Sequence, residues 1–291
     1  MSYSYKKTPI EEVREARLEE AGVRLFIKRE DLNHPEIPGN KWWKLRYNIE
    51  KALDFNCETL LTFGGAYSNH IFATAAAAYE NGFKSIGIIR GEETLPLNST
   101  LSFARLRGMQ LHYVSRDQYR HKTEEEFLKN LRKQFGHFYL IPEGGSNDLA
   151  VKGCAEFAKD LLSEIYFDYV CLPIGTGGTM AGIINGMEDK KRVIGFSSLK
   201  GGTFLGEEIK KYLHSAFTNW EIKTDYHFGG YGKQSSEVDD FIIDQKFKYA
   251  LPLDKVYTAK MMMGIYEEVK KGSFKRGSTI LAIHTGGLQG N

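Results

Sequence analysis

The stretch Tyr169-Val170-Cys171-Leu172-Pro173-Ile174-Gly175-Thr176-Gly177-Gly178-Thr179 runs from an apolar segment straight into a turn of glycine and threonine. Residues 169–172 read as a buried strand, and residues 179–186 read as the helix that follows it. Glycine lets the backbone turn with positive φ and approach a ligand with no Cβ in the way. Successive amides at a helix N-terminus, with two hydroxyls beside them, suit a phosphate group. The run is not a dinucleotide fingerprint, because Met180 stands where G-x-G-x-x-G needs its third glycine. Nor does Gly-Lys-Ser/Thr close it, as a P-loop requires. It therefore suits a monophosphate better than a dinucleotide or triphosphate; without a ligand it would be a glycine-rich helix start.

The same pattern recurs along the chain. Thirty of the 291 residues are glycine, against roughly 7% in average usage. Six Gly-Gly pairs occur, at 64-65, 144-145, 177-178, 201-202, 229-230 and 286-287, and four of them directly follow a strand candidate. Strand candidates are 23–29, 59–63, 85–90, 110–114, 138–141, 169–172, 193–197, 221–226 and 279–284. Helix-like stretches are 41–55, 69–81, 98–108, 123–135, 148–165, 179–186 and 260–271. Short apolar strands spaced by helices indicate parallel sheets with helices on both faces. So many strands predict an α/β fold of two lobes, each a mostly parallel sheet flanked by helices. The ligand is expected in the crevice beyond the strand carboxyl ends. The charge-dense stretch 116–133 reads as a solvated helix face.

Two other segments carry chemistry. In Pro38-Gly39-Asn40-Lys41-Trp42-Trp43-Lys44-Leu45, Asn40 reads as a helix cap, with Lys41 in the first turn and Lys44 one turn on. Cations are unfavourable at the positive end of a helix dipole. An anionic ligand, or a lysine neutralised as an imine, would relieve that conflict; plain surface lysines are the alternative. Gly64-Gly65-Ala66-Tyr67-Ser68-Asn69-His70 opens an alanine-rich helix, and its serine, asparagine and amides suit a carboxylate as well as they suit a simple cap. His70 is expected to satisfy a local hydrogen bond, and Trp42-Trp43 to pack in the core.

Composition removes other classes. Lys+Arg number 39 against 37 Asp+Glu, interspersed, for a net charge of +2, which argues against nucleic-acid or membrane partners. Cys57, Cys154 and Cys171 match no disulfide framework and no metal-ligand spacing. No metal is expected, and a reducing cytoplasmic location is. Residues 1–17 show no signal-peptide core and no apolar run approaches a membrane span.

Taken together, these segments resemble the fold-type II pyridoxal-5′-phosphate enzymes, the tryptophan synthase β-like group, and within it the D-cysteine desulfhydrase and 1-aminocyclopropane-1-carboxylate (ACC) deaminase branch. The resemblance runs from about Leu25 to Gly287. It is carried by Lys28-Arg29-Glu30-Asp31-Leu32, Gly39-Asn40-Lys41 with Lys44-Leu45, Gly64-Gly65 with Ser68-Asn69-His70, the 175–179 loop, Val256-Tyr257-Thr258 and His284-Thr285-Gly286-Gly287. It implies a larger cofactor-binding domain of residues 1–50 and 150–291 with a smaller domain, 51–149, inserted. It implies that Lys41 holds pyridoxal phosphate as a Schiff base, while Lys44 neutralises its phosphate beside Gly175, Thr176, Gly177, Gly178 and Thr179. Asn69 would meet the phenolic oxygen and Ser68 the substrate carboxylate. Tyr257 and Tyr231 match active-site tyrosines, and a homodimer is the usual assembly.

Two positions bear on the reaction. ACC deaminases are similar but carry Glu and Leu where this chain has Thr258 and Thr285; threonine marks the desulfhydrase side. A carboxylate beside the pyridine nitrogen deepens the electron sink, and opening a cyclopropane needs that depth. A neutral hydroxyl suffices when a thiolate leaves. The implied activity is β-elimination from a small amino acid, with D-cysteine going to pyruvate, ammonia and hydrogen sulfide. Deamination of ACC, D-serine or a β-substituted alanine is the alternative, and a non-catalytic cofactor- or amino-acid-binding protein the second.

Overall fold

The structure, a computed structural model, describes residues 5–230, 232–233 and 235–290. In chain order its elements are β1 (Ile10–Val13), α1 (Ala16–Ala21), β2 (Arg24–Lys28), α2 (Asn40–Asp54), β3 (Thr59–Gly65), α3 (Asn69–Glu80), β4 (Lys84–Arg90), α4 (Ser99–Leu106), β5 (Met109–Val114), α5 (Arg116–Arg120), α6 (Glu125–Phe135) and β6 (Tyr139–Ile141). They continue with α7 (Asp148–Glu164), β7 (Tyr169–Ile174), α8 (Gly178–Met187), β8 (Arg192–Ser197), α9 (Leu205–Lys210), β9 (Trp220–Lys223), α10 (Ser236–Tyr249), α11 (Thr258–Lys270) and β10 (Thr279–Ile283).

The strands form two sheets, as the alternation of strands and helices predicts. One is six-stranded, in the order β1-β2-β10-β7-β8-β9; the other is four-stranded, in the order β5-β4-β3-β6. Every pairing is parallel except that of β1 with β2. In the larger sheet Ile280 lies beside Tyr169 and Tyr169 beside Arg192. The carboxyl ends of β10 and β7, with their glycine turns, therefore emerge side by side. In the smaller sheet β3 lies beside β6, with Thr62 level with Ile141, so the turns after 64-65 and 141 emerge together as well.

Between the sheets lie α2, α3, α7 and α8. Their apolar faces, with Leu60 and Ile141 from one sheet and Val170 and Leu281 from the other, form one continuous buried cluster. Close helix packing is needed here: a Cβ on Gly182 of α8 would lie 2.3 Å from Cβ of Cys154 on α7. Trp42 and Trp43 are buried in this cluster, Trp43 stacking on Phe157 at 5.1 Å, as core packing predicts.

Three local expectations shift. β1 has two acids in its four residues and no apolar alternation; it forms by pairing with the exposed edge of β2. The charged stretch 116–133 carries two short helices, each with one buried anchor, Tyr119 in α5 and Leu131 in α6. The strand expected at 221–226 ends at Lys223.

Candidate active site

The helix carrying both lysines starts at a forced point. Gly39 has φ +70°, and a Cβ there would sit 1.9 Å from the Thr285 carbonyl oxygen. The amide of Asn40 donates to that same oxygen at 3.3 Å. Asn33 clamps the turn from below, accepting from the Gly39 amide at 2.9 Å and donating to its carbonyl at 3.0 Å. Gly39 is thus the cap residue and Asn40 the first residue of the helix, not its cap. The Asn40 side chain does something else. Its oxygen accepts from Lys41 Nζ at 2.9 Å and its nitrogen donates to Thr179 Oγ1 at 2.8 Å. One amide therefore ties Lys41 to the far end of the glycine loop.

Burial costs an ammonium its hydration, and both lysines show it. Lys41 falls to about 8, chiefly through desolvation, opposed by the Asp254 carboxylate. Lys44, fully inside, falls to about 7 through desolvation and the repulsion of Lys41. Lys44 Nζ donates to the Gly144 carbonyl and, at 2.9 Å, to Ser146 Oγ. Ser146 Oγ in turn lies 2.6 Å from Thr176 Oγ1. Both lysines therefore face the loop 175–179, which enters α8 through Gly177 at φ +85°.

Opposite, Ser68 caps α3, its oxygen accepting from the His70 and Ile71 amides at 3.2 and 3.3 Å. Those two amides are satisfied by Ser68 itself, so the serine hydroxyl proton is what it offers a ligand. Asn69 Oδ1 accepts from Gln289 Nε2. A Cβ on Gly287 would lie 2.8 Å from Asn69 Nδ2 and 3.2 Å from Cγ of Asp254, so this turn joins the Ser68–Asn69 segment to the start of α11. His70, buried, bonds Thr62 Oγ1 at 2.8 Å, the local role expected of it. Burial, Lys41 and Lys44 together hold its imidazole well below the usual range.

At the third wall, the Tyr257 hydroxyl lies where it would be 3.1 Å from a Cβ on Gly175. Asp254 organises this corner. Its Oδ2 accepts from the Val256 and Tyr257 amides, both at 2.9 Å, and its Oδ1 accepts from the Thr258 amide at 2.8 Å and the Thr258 hydroxyl at 2.7 Å. The Thr258 hydroxyl also accepts from the Asp254 amide at 2.8 Å; its one proton is committed. The Thr285 hydroxyl has no hydrogen-bond partner among the described residues. Tyr231 lies outside the described residues. The backbone just before it is held by buried Lys260, whose Nζ donates to the His227 and Gly230 carbonyls, each at 2.8 Å.

Sequence reasoning missed Asn40's bridging role, Ser146, Asp254 and Gln289. Asp254 and Gln289 lie within four residues of Thr258 and Thr285, the one available signal. Among the described residues no His/Cys/Asp/Glu group is arranged to hold a metal, and no helix is long and apolar enough to cross a membrane.

A family model described as pyridoxal-phosphate dependent enzyme matches residues 1–286. The chain belongs to that family. An Arabidopsis thaliana protein named bifunctional D-cysteine desulfhydrase/1-aminocyclopropane-1-carboxylate deaminase, mitochondrial, is 31% identical over 92% of this chain and 73% of its own length. A 1-aminocyclopropane-1-carboxylate deaminase from Bradyrhizobium sp. is 29% identical over 98% and 92%. The crystal structure of an ACC deaminase homologue superposes with a TM-score of 0.83 at 29% identity, over 98% of this chain and 90% of that one. A hydrogen sulfide-producing enzyme from Fusobacterium nucleatum, 15% identical with a TM-score of 0.70, shares the fold. This pyridoxal-phosphate dependent enzyme is therefore a fold-type II member of the ACC deaminase/D-cysteine desulfhydrase group, as the resemblance implies. Its residues fit the cofactor: a buried lysine held by Asn40, and beside it a second buried lysine that faces the glycine loop opening α8 through Ser146 and Thr176.

Proposed function

We propose that this enzyme eliminates the β-substituent of a small amino acid, converting D-cysteine to pyruvate, ammonia and hydrogen sulfide. Pyridoxal phosphate supplies the electron sink for charge developing at the α-carbon. In this reading Lys41 holds the cofactor and then, as a free amine, takes the α-proton; desolvation gives it the pKa that role needs. Lys44 and residues Gly175–Thr179 bind the phosphate, Asn69 donates to the phenolic oxygen, and the Ser68 hydroxyl donates to the substrate carboxylate. Tyr257 stands over the same crevice, with Tyr231 as its expected companion. Residues 51–149 act as a smaller lobe inserted into a larger one of 1–50 and 150–291, with the amino acid bound between them.

What carries the choice of reaction is the pair Thr258 and Thr285. The Thr258 proton is committed to Asp254, and the Asp254 carboxylate is engaged by four donors of its own turn, so the group this corner leaves for a pyridine nitrogen is the neutral hydroxyl of Thr285. That suits departure of a good leaving group rather than rupture of a cyclopropane. The name of the Arabidopsis relative joins both activities, so ACC is the second substrate to try. The test is keto-acid and sulfide release from D-cysteine, L-cysteine, D-serine and ACC by the cofactor-loaded protein. D-cysteine is expected to turn over fastest; a preference for ACC, or no sulfide from D-cysteine, overturns the reading.

A further inference from the structure

Ser146 lies in the loop from β6 of the four-stranded sheet to α7, while the phosphate loop follows β7 of the six-stranded sheet. Yet the two loops interlock. A Cβ on Gly178 would meet Ser146 Oγ at 2.7 Å and Lys44 Nζ at 3.4 Å, and a Cβ on Gly144 would meet Thr176 Oγ1 at 2.8 Å. Each loop has a glycine where the other brings its polar side chain. Ser146 Oγ stands between a lysine nitrogen, Lys44 Nζ at 2.9 Å, and a second hydroxyl, Thr176 Oγ1 at 2.6 Å. It is only half-buried, so a ligand can reach it.

Shaping the loop does not by itself explain the position of Ser146. The Ser146 backbone is already held, its carbonyl accepting from the Tyr212 hydroxyl at 3.2 Å, and the adjacent Asn147 side chain caps α7 through the Ala150 amide at 2.9 Å. The Ser146 side chain is thus not needed to start the helix, and it points at the two groups expected to meet the phosphate. Lys44, with its ammonium lowered by burial, gains most from an anion placed beside it.

Resting on the cofactor reading above, we propose that Ser146 is a phosphate ligand, a hydroxyl delivered from the smaller sheet's loop to the anion held by Lys44, Thr176 and the start of α8. Phosphate binding then joins loops from both sheets at one anion.

The test compares pyridoxal phosphate with pyridoxal, which has the same ring and aldehyde but no phosphate, binding to the wild-type protein and to Ser146→Ala. Binding is followed by cofactor absorbance and by quenching of tryptophan fluorescence. Loss of one hydrogen bond to a charged group weakens binding by roughly ten- to a hundredfold. Ser146→Ala should therefore weaken pyridoxal phosphate binding by about tenfold or more and leave pyridoxal binding unchanged. The ratio of the two affinities within one variant separates a phosphate contact from general damage, which would weaken both ligands alike. An unchanged ratio in a variant whose wild-type parent binds pyridoxal phosphate overturns the role of Ser146 alone. A wild-type protein that shows no preference for the phosphorylated form overturns the cofactor site itself.

Discussion

Lys41 shows how one residue's surroundings become chemistry. An amine in water is almost wholly charged at neutral pH, but burial lowers Lys41 to about 8. A lysine whose folded pKa lies below its unfolded value disfavours folding while charged. Stability from this source is absent at low pH and grows as pH rises from about 7 toward the unfolded value near 10.4. The free-amine fraction rises over the lower part of that window. With Lys41 in its proposed role as the cofactor lysine, the rate at which cofactor-free protein captures pyridoxal phosphate should climb by about tenfold per pH unit below roughly pH 8 and level off above it. Stopped-flow absorbance measures this, and a rate that keeps climbing to pH 10 would show an unshifted lysine. Asp254 is the residue the sequence hid best. In Leu253-Asp254-Lys255 it looks like a surface acid, yet it is buried and gathers four donors of one turn. Asp254→Ala strands those donors and should cost about 2 kcal/mol or more in urea unfolding. It should also lower turnover through misplaced Tyr257; a stability loss below about 0.5 kcal/mol would mean that water replaces the carboxylate without penalty.

At the scale of elements, legibility followed periodicity. Strands β3, β4, β5, β7 and β10 are short apolar runs, and each observed strand starts within one residue of its expected position, because burial on both faces leaves a continuous hydrophobic signal. The elements that escaped, β1, α1, α9 and α10, lie at the edge or surface, where side chains face water and the pattern fades. The cap of α2 departs from its sequence pattern for a different reason. Asn40 has the residue type of a cap, but at position 39 the approach of the Thr285 carbonyl leaves room for glycine alone, and that carbonyl comes from the other end of the chain. Gly39→Ala therefore faces both a positive φ and a backbone clash, and should cost about 3 kcal/mol or more in unfolding free energy. It should also weaken cofactor binding by displacing Lys41. Gly82→Ala is the matched control: φ is +73° there, but nothing lies within 4 Å of the added Cβ, so only the conformational cost of about 1 kcal/mol should appear. Equal losses for the two variants would show that the Thr285 contact relaxes freely.

For the whole molecule, two sheets suggest two cooperative units, but the packing argues for one. Leu61, Phe63, Ile86 and Ile88 form a modest cluster on one face of the four-stranded sheet with α5 and α6, and Ile71, Ile89 and Leu101 form another on the opposite face. The rest of its apolar burial, Leu60 and Ile141 with the alanine face of α3, belongs to the cluster that runs through α2, α7 and α8 into the six-stranded sheet. If the larger sheet unfolds, the smaller one loses that whole face to water at about 25 cal/mol per Å², a cost set against a total stability of only about 5–15 kcal/mol for a domain. Large chains often unfold in stages; this shared core opposes it. The tryptophans allow a clean test, because Trp42 and Trp43 lie in α2 and Trp220 in β9, with none in the four-stranded sheet. Urea unfolding of the cofactor-free protein should give coincident midpoints by tryptophan fluorescence and far-ultraviolet circular dichroism. A dichroism phase that precedes the fluorescence change would mean that the smaller sheet melts alone, and that the α3–α2 contact is weaker than its burial implies.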